Sequence, residues 1–248
     1  MIILSILFFV TAILYSSVGF GGGSTYLALL LIWEIPYYIF PVIALLCNII
    51  VVSGNSINYI RAGNQNFKLL YPFLVGSIPF AFFGGSLKIE KEIFEILLFL
   101  VLSIAGILLL LNNKSYENNN SIIKKLSFFF SLVIGSALGL ISGIVGIGGG
   151  IFLSPILFLL KAEKPKVIAT TASLFILINS ISGIFGQFSK ENVVTNIFDY
   201  WFLFLCVFVG GFIGNYMNIK IFSNRSLTVM TSLLVIFVAI RMGIKIFQ

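Results

Sequence analysis

Histidine does not occur in the chain. Its absence removes the commonest metal ligand and the side chain that usually shuttles protons near neutral pH. Charge is scarce as well: 9% of the 248 residues are Asp, Glu, Lys or Arg, against roughly 25% in soluble domains. Cysteine is limited to Cys47 and Cys206, both inside apolar runs, where small buried thiols are expected rather than a disulfide or a metal pair. The acidic residues (Glu34, Glu90, Glu92, Glu95, Glu117, Glu163, Glu191 and Asp199) all fall in loops or at predicted helix ends. No carboxylate stands in the middle of an apolar run.

These gaps exclude function classes. Proton-coupled pumps usually carry an Asp, Glu or His relay within the membrane, so only a backbone- or water-mediated route is left here. A cation substrate would want carboxylates or a cage of carbonyls. An enzyme embedded in the membrane would need a His, Cys–His or paired-carboxylate constellation. The sequence therefore predicts no enzymatic activity, no cofactor and no metal site.

What is present is apolar: 59% of residues are hydrophobic and the mean hydropathy is +1.13. The runs are long and lack the ~10-residue alternation of barrel strands, so the fold class is an all-α integral membrane protein. The net charge of +7 sits in lysines and arginines between apolar runs. It is a topology signal rather than a nucleic-acid footprint. The partners expected are membrane lipid and a small solute. The N-terminus has no basic stretch before its apolar run, which reads as a retained first helix rather than a cleaved leader.

Two glycine clusters organise the chain: Gly19-Phe20-Gly21-Gly22-Gly23 and Gly146-Ile147-Gly148-Gly149-Gly150. Consecutive glycines favour unwinding of a helix. Unwound backbone at membrane depth survives only where protein buries it or a cavity hydrates it. Each cluster joins a long run (2–18 and 126–145) to one too short to cross a bilayer (24–33 and 151–160). Full spans are predicted over 37–60, 67–87, 93–111, 167–188, 200–219 and 226–247, and 112–125, rich in asparagine, is the one linker.

The two halves, 1–111 and 126–248, repeat each other. At an offset of 127, Ala12, Ser16 and Gly19 fall on Gly139, Gly143 and Gly146, and the glycine triplets coincide. At an offset of 129, Glu34-x-Pro36 falls on Glu163-x-Pro165 and Ser53-Gly54 on Ser182-Gly183. If each interrupted pair is a hairpin that leaves on the side it entered, each half crosses three times and the halves are inverted. Ten basic residues then lie on one side and five on the other; if each pair crosses once the split is eight and seven. The positive-inside rule favours the hairpins, with the linker cytoplasmic and both termini outside. Gly135, Gly139 and Gly143, like Gly210 and Gly214, are spaced to let neighbouring backbones approach, which is packing.

The chemistry that remains suits an anion. The short helices open at the breaks, where free N–H groups and the positive dipole end attract negative charge. The following spans carry uncharged donors. Asn48 and Asn55 share one face, with Ser56 and Asn58 on its flanks; Thr171 and Ser182 share another, with Asn179 nearby. Such groups also serve as interhelical hydrogen bonds in membranes. The candidate substrate-binding residues are Gly21, Gly22, Gly23, Ser24, Asn48, Asn55, Gly148, Gly149, Gly150, Thr171, Asn179 and Ser182. Broken helices at matching positions in two halves point to a transporter's binding site; a channel or facilitator for a small anion is the alternative, separable by single-channel currents against saturable flux.

Two Gly-x-Gly-Gly-Gly clusters in a chain of this size resemble the TauE/SafE sulfite exporter family. The second cluster followed by Ser154-Pro155, and Thr170-Thr171-Ala172-Ser173 at the next span, look closest to the family pattern. The first copy departs from it, with Ser24-Thr25 after the glycines and Ala28 where the second half has Pro155. The resemblance covers essentially the whole chain. It implies a bacterial inner-membrane transporter of small sulfur-containing anions such as sulfite, thiosulfate, sulfonates or sulfoacetate. Export is the direction expected here, since an inside-negative potential drives an anion outward.

Overall fold

The computed structural model describes residues 1–111, 124, 126–190, 197–217, 236, 240 and 243–244. Among the described residues all regular structure is helical: α1 (Ile2–Val18), α2 (Gly23–Ile32), α3 (Phe40–Arg61), α4 (Phe67–Ser86), α5 (Lys91–Leu111), α6 (Phe128–Val145), α7 (Gly150–Leu159), α8 (Pro165–Phe188) and α9 (Trp201–Met217). The expected boundaries hold to within about three residues. The linker apart from Lys124, and most of the expected last span at 226–247, lie outside the described residues. Among the described residues five helices are long and apolar enough to cross a membrane, and phenylalanines such as Phe83, Phe129, Phe185, Phe208 and Phe212 face outward from the bundle. An apolar exterior is what a lipid solvent requires. Cys47 and Cys206 are free thiols, Cys47 fully buried, as their apolar settings implied.

Both glycine clusters break their helices. α1 ends in a Schellman turn, with the N–H of Phe20 on the Tyr15 carbonyl (3.0 Å) and Gly19 in the left-handed region at φ 89°. α6 stops at Gly146, φ 90°. α2 and α7 start after Gly22 (φ 85°) and Gly149 (φ 74°), backbone that a side chain would strain. The two breaks and the short helices after them match in their dihedrals. Each short helix has 10 residues and ends in a second Schellman turn, whose left-handed residue is Glu34 (φ 54°) in one half and Lys161 (φ 52°) in the other, 127 positions apart. Ten helical residues rise about 15 Å, half of a ~30 Å hydrocarbon core.

The halves interlock. α6 lies along α4, and α1 along α9. The small-residue stripes make both contacts. A Cβ on Gly135, Gly139 or Gly143 would strike the backbone at Phe73, Ser77 or Ala81, and one on Gly210 or Gly214 would strike the carbonyls of Phe9 or Ile13. The ascending register shows that each pair runs parallel. α8 runs parallel to α4, with Ser182 Oγ on the Ile78 carbonyl (2.7 Å) and Gly186 against Phe82. α3 and α8 run antiparallel, since Ser56 meets Ser173 while Leu45 meets Gly183.

Two ends of the bundle result. At one end Asn66 Nδ2 donates to Glu163 Oε1 (2.9 Å) and the Lys124 N–H to the Lys161 carbonyl (3.0 Å). At the other, Tyr37, Tyr38, Lys88 and Lys190 line one cavity. α6 and α7 thus begin and finish at the same end.

Candidate functional site

α3 and α8 carry the polar side chains that the interior of an apolar bundle must satisfy, and the two breaks close around them. Asn48, at the middle of α3 and fully buried, stands where the breaks meet. Its Nδ2 donates to the Ile147 carbonyl at 3.1 Å, with the Gly146 carbonyl at 3.5 Å. The same amide is what a Cβ on Gly21, Gly23 or Gly148 would strike. Glycine is therefore required at these positions by close approach. At Gly148 it is also required by φ 82°. One side chain of the first half thus packs against the first unwound segment and bonds the second, and a Cβ on Gly23 would also reach the Ile147 backbone across the junction.

The helix starts converge here. The first intrahelical bonds of α2 are made by the N–H groups of Thr25 and Tyr26 to Gly22, and those of α7 by Phe152 and Leu153 to Gly149. The earlier N–H groups, at Gly23 and Ser24 and at Gly150 and Ile151, precede any intrahelical partner and carry the positive end of each helix. No side chain caps either start. A cavity of about 10 Å³ lies between the breaks, lined by Tyr15, Gly21, Gly22, Gly23, Ser24 and Ile147 among others. That is room for about one water, so an oxyanion requires the breaks to part.

The expected site residues separate into groups. Gly21, Gly22, Gly23, Ser24, Asn48, Gly148, Gly149 and Gly150 come together at the junction. Asn55 is buried further along α3, its Oδ1 3.4 Å from Ser16 Oγ. Asn179 is fully buried, with Nδ2 on the Phe175 carbonyl (2.8 Å) of its own helix. Thr171 likewise donates within α8, to the Val167 carbonyl at 2.8 Å, and Ser182 turns to α4. Among the described residues, several buried polar atoms lack a hydrogen-bond partner, including Asn48 Oδ1, Asn55 Nδ2, Asn179 Oδ1 and Ser180 Oγ. Buried groups of this kind call for a water or a ligand.

Two residues at the junction were not singled out in the sequence. Tyr15 fills the space beside Gly22, its hydroxyl 2.7 Å from Thr25 Oγ1 and 3.4 Å from Ser24 Oγ. Ser180 Oγ is 3.1 Å from where a Gly148 Cβ would lie. Position could have flagged Tyr15, which occupies the last turn before the first break. Ser180 differs from its neighbour Asn179 only in which way the helix turns it. Among the described residues no cluster of Asp, Glu, Cys and His fit for a metal occurs.

Comparison with known proteins agrees with this architecture. The chain is 26% identical over 232 residues to a probable membrane transporter protein of Sinorhizobium fredii, covering 93% of each. It is 29% identical over 206 residues to a probable membrane transporter protein of Methanocaldococcus jannaschii, covering 79% of this chain and 76% of the relative. No solved structure matches. The family model described as sulfite exporter TauE/SafE matches residues 4–242, so this multi-pass membrane transporter belongs to the TauE/SafE family.

Proposed function

We propose that the protein moves a small sulfur-containing anion (sulfite, thiosulfate or a sulfonate) out of the cell by alternating access of two inverted repeats, 1–111 and 126–248, joined by a cytoplasmic linker at 112–125. The observation that carries this is the meeting of both glycine breaks, each with an uncapped helix start, at Asn48. Two helix N-termini and backbone unobstructed by side chains form a donor set for an oxyanion. Helix direction supports the inversion. α1, α3 and α9 point one way and α4, α6 and α8 the other, so α1, α3 and α4 are antiparallel to their counterparts α6, α8 and α9. The end holding Asn66, Lys124 and Lys161 is the more basic and is assigned to the cytoplasm.

An inside-negative potential supplies about 2.3 kcal/mol per charge per 100 mV for anion exit, without a proton partner. The site proposed for the anion is the junction of the glycines with Ser24 and Asn48; Asn55, Thr171, Asn179 and Ser182 are proposed to meet the anion along its path and not at the junction itself. The test is uptake of radiolabelled sulfite into proteoliposomes under a positive-inside potential. Saturable uptake with counterflow is expected. Flux of a sulfonate but not of sulfite would narrow the substrate to the sulfonates, and failure to carry any anion would overturn the reading.

A further inference from the structure

A cavity of about 480 Å³ opens at the end of the bundle where α3 begins and α4 and α8 finish. Its size is that of a small-molecule site. The walls are largely apolar, from Tyr37, Tyr38, Leu87, Ile89 and Phe94, and among the described residues the two charged side chains that line it are cations, Lys88 and Lys190. Its inner wall is Pro41 and Ile144. Pro41 is the residue whose backbone a Cβ on Gly146 would strike, so the cavity ends directly behind the second glycine break.

Lys190 is held rather than free. Its Nζ donates to Gln187 Oε1 at 3.0 Å, and Gln187, fully buried, donates Nε2 to the Gly143 carbonyl on α6 at 2.8 Å. This chain ties the ammonium to the last turn before the break and uses one of its three donors. The corresponding face of the first break is stoppered. Tyr59 packs where a Gly19 Cβ would lie, and Asn58 Nδ2 reaches Asn215 Oδ1 at 2.9 Å across α3 and α9.

The geometry points to this cavity as the vestibule through which the second break exchanges its anion, taking an organic anion whose charged head pairs with Lys190 and whose short apolar tail lies against Tyr37, Tyr38 and Phe94. This rests on the transport reading above and adds a tail requirement to it. An inorganic oxyanion would use the cation and leave most of the apolar wall uncovered. Gln187 is a positioning residue that fixes the ammonium over the break.

The probes are methanesulfonate and butanesulfonate, titrated calorimetrically against the purified full chain, with flux of the same ions into proteoliposomes measured in parallel. Butanesulfonate is expected to bind about tenfold or more tightly than methanesulfonate, as each buried methylene contributes several-fold. Lys190→Gln is expected to weaken both at least about tenfold, Lys88→Gln less, and Lys190→Arg to stay near wild type; the arginine variant covers the case in which the glutamine variant does not fold. Equal affinity for the two tails, wild-type binding by Lys190→Gln, or no binding of either ion would overturn the vestibule. Flux that persists without Lys190 dependence would overturn it while keeping the transporter, whereas Lys190-dependent binding without any flux would keep the vestibule and overturn transport.

Discussion

Nδ2 of Asn48 donates to the Ile147 carbonyl at 3.1 Å, so a side chain of the first half fastens the unwound backbone of the second. The bond does two things at once. It satisfies a carbonyl that the broken helix leaves without a partner, and it sets the distance between two positive helix ends.

Asn48→Ala should therefore be costly in both respects. The unpaired Ile147 carbonyl stays buried, a loss of about 1–3 kcal/mol, and the breaks lose their register. A lowered thermal midpoint and loss of most anion flux are expected. Ser180→Ala is the contrast, because Ser180 Oγ has no protein partner among the described residues. Its stability should match wild type while its apparent affinity for the anion falls several-fold. If Ser180→Ala is silent in flux kinetics, that hydroxyl does not meet the substrate.

Glycine substitutions separate strain from contact. Gly63 has φ 71° but open space around a new Cβ, so Gly63→Ala should cost only the conformational term, about 1–2 kcal/mol, and leave flux intact. Gly148→Ala adds collisions with Ile176, Asn48 and Ser180 to a similar φ of 82°. It should abolish flux. Gly139→Ala has ordinary helical backbone yet presses on Ser77 of α4, and should destabilise by separating α4 from α6. Thermal melts beside flux assays decide all three, and a Gly148→Ala transporter with wild-type kinetics would remove the junction from the pathway.

Much of this fold is legible in the sequence because the signals are local. A glycine cluster must interrupt a helix, and the lengths of its flanking runs fix where, which is why α1 ends at Val18 and α7 starts at Gly150. The stripes Gly135, Gly139, Gly143 and Gly210, Gly214 announce close helix packing, but not that each half lends its first helix to the other. That exchange depends on contacts between residues 62 apart (Phe73 with Gly135) and 201 apart (Phe9 with Gly210), which no local window of sequence contains. The polar stripes show the same limit. Asn48 and Ser182 look alike as polar positions in apolar spans, yet one helix rotation turns Asn48 to both breaks and Ser182 to α4. Lys190 reads as a loop charge, since nothing local reports that Gln187 draws it over a cavity.

Which loops share an end of the bundle follows from which loops touch. Asn66 meets Glu163 at one end, and Lys88 shares a cavity with Lys190 at the other. Single cysteines placed in a background lacking Cys47 and Cys206 should divide accordingly. Ala62→Cys and Lys164→Cys are expected to react with an impermeant maleimide only from the cytoplasmic side, and Ser189→Cys only from outside. Labelling of Ala62→Cys and Lys164→Cys from opposite sides would reject the hairpin at the second break, and a cytoplasmic C-terminal reporter would reject the topology as a whole.

The vestibule should also respond to pH through Lys190. Burial disfavours its charged form and brings its pKa down to about 8. Among the described residues, the other titratable groups around the cavity are Lys88, Tyr37 and Tyr38, with Tyr200 and Asp199 beyond Tyr38. Below about pH 8 the ammonium is present and pairs with an anionic head; above it the amine is neutral and the attraction is lost. Affinity should thus fall as pH rises from 7 to 9. Methanesulfonate is the right probe, because its own charge does not change over this range, whereas sulfite gains a negative charge near neutrality and would mask the effect. Lys190→Gln should bind weakly and flatly across the range, and Lys190→Arg should stay tight to the highest pH tested. A wild-type profile that is flat between pH 7 and 9, with Lys190→Arg no different, would show that the anion does not pass Lys190.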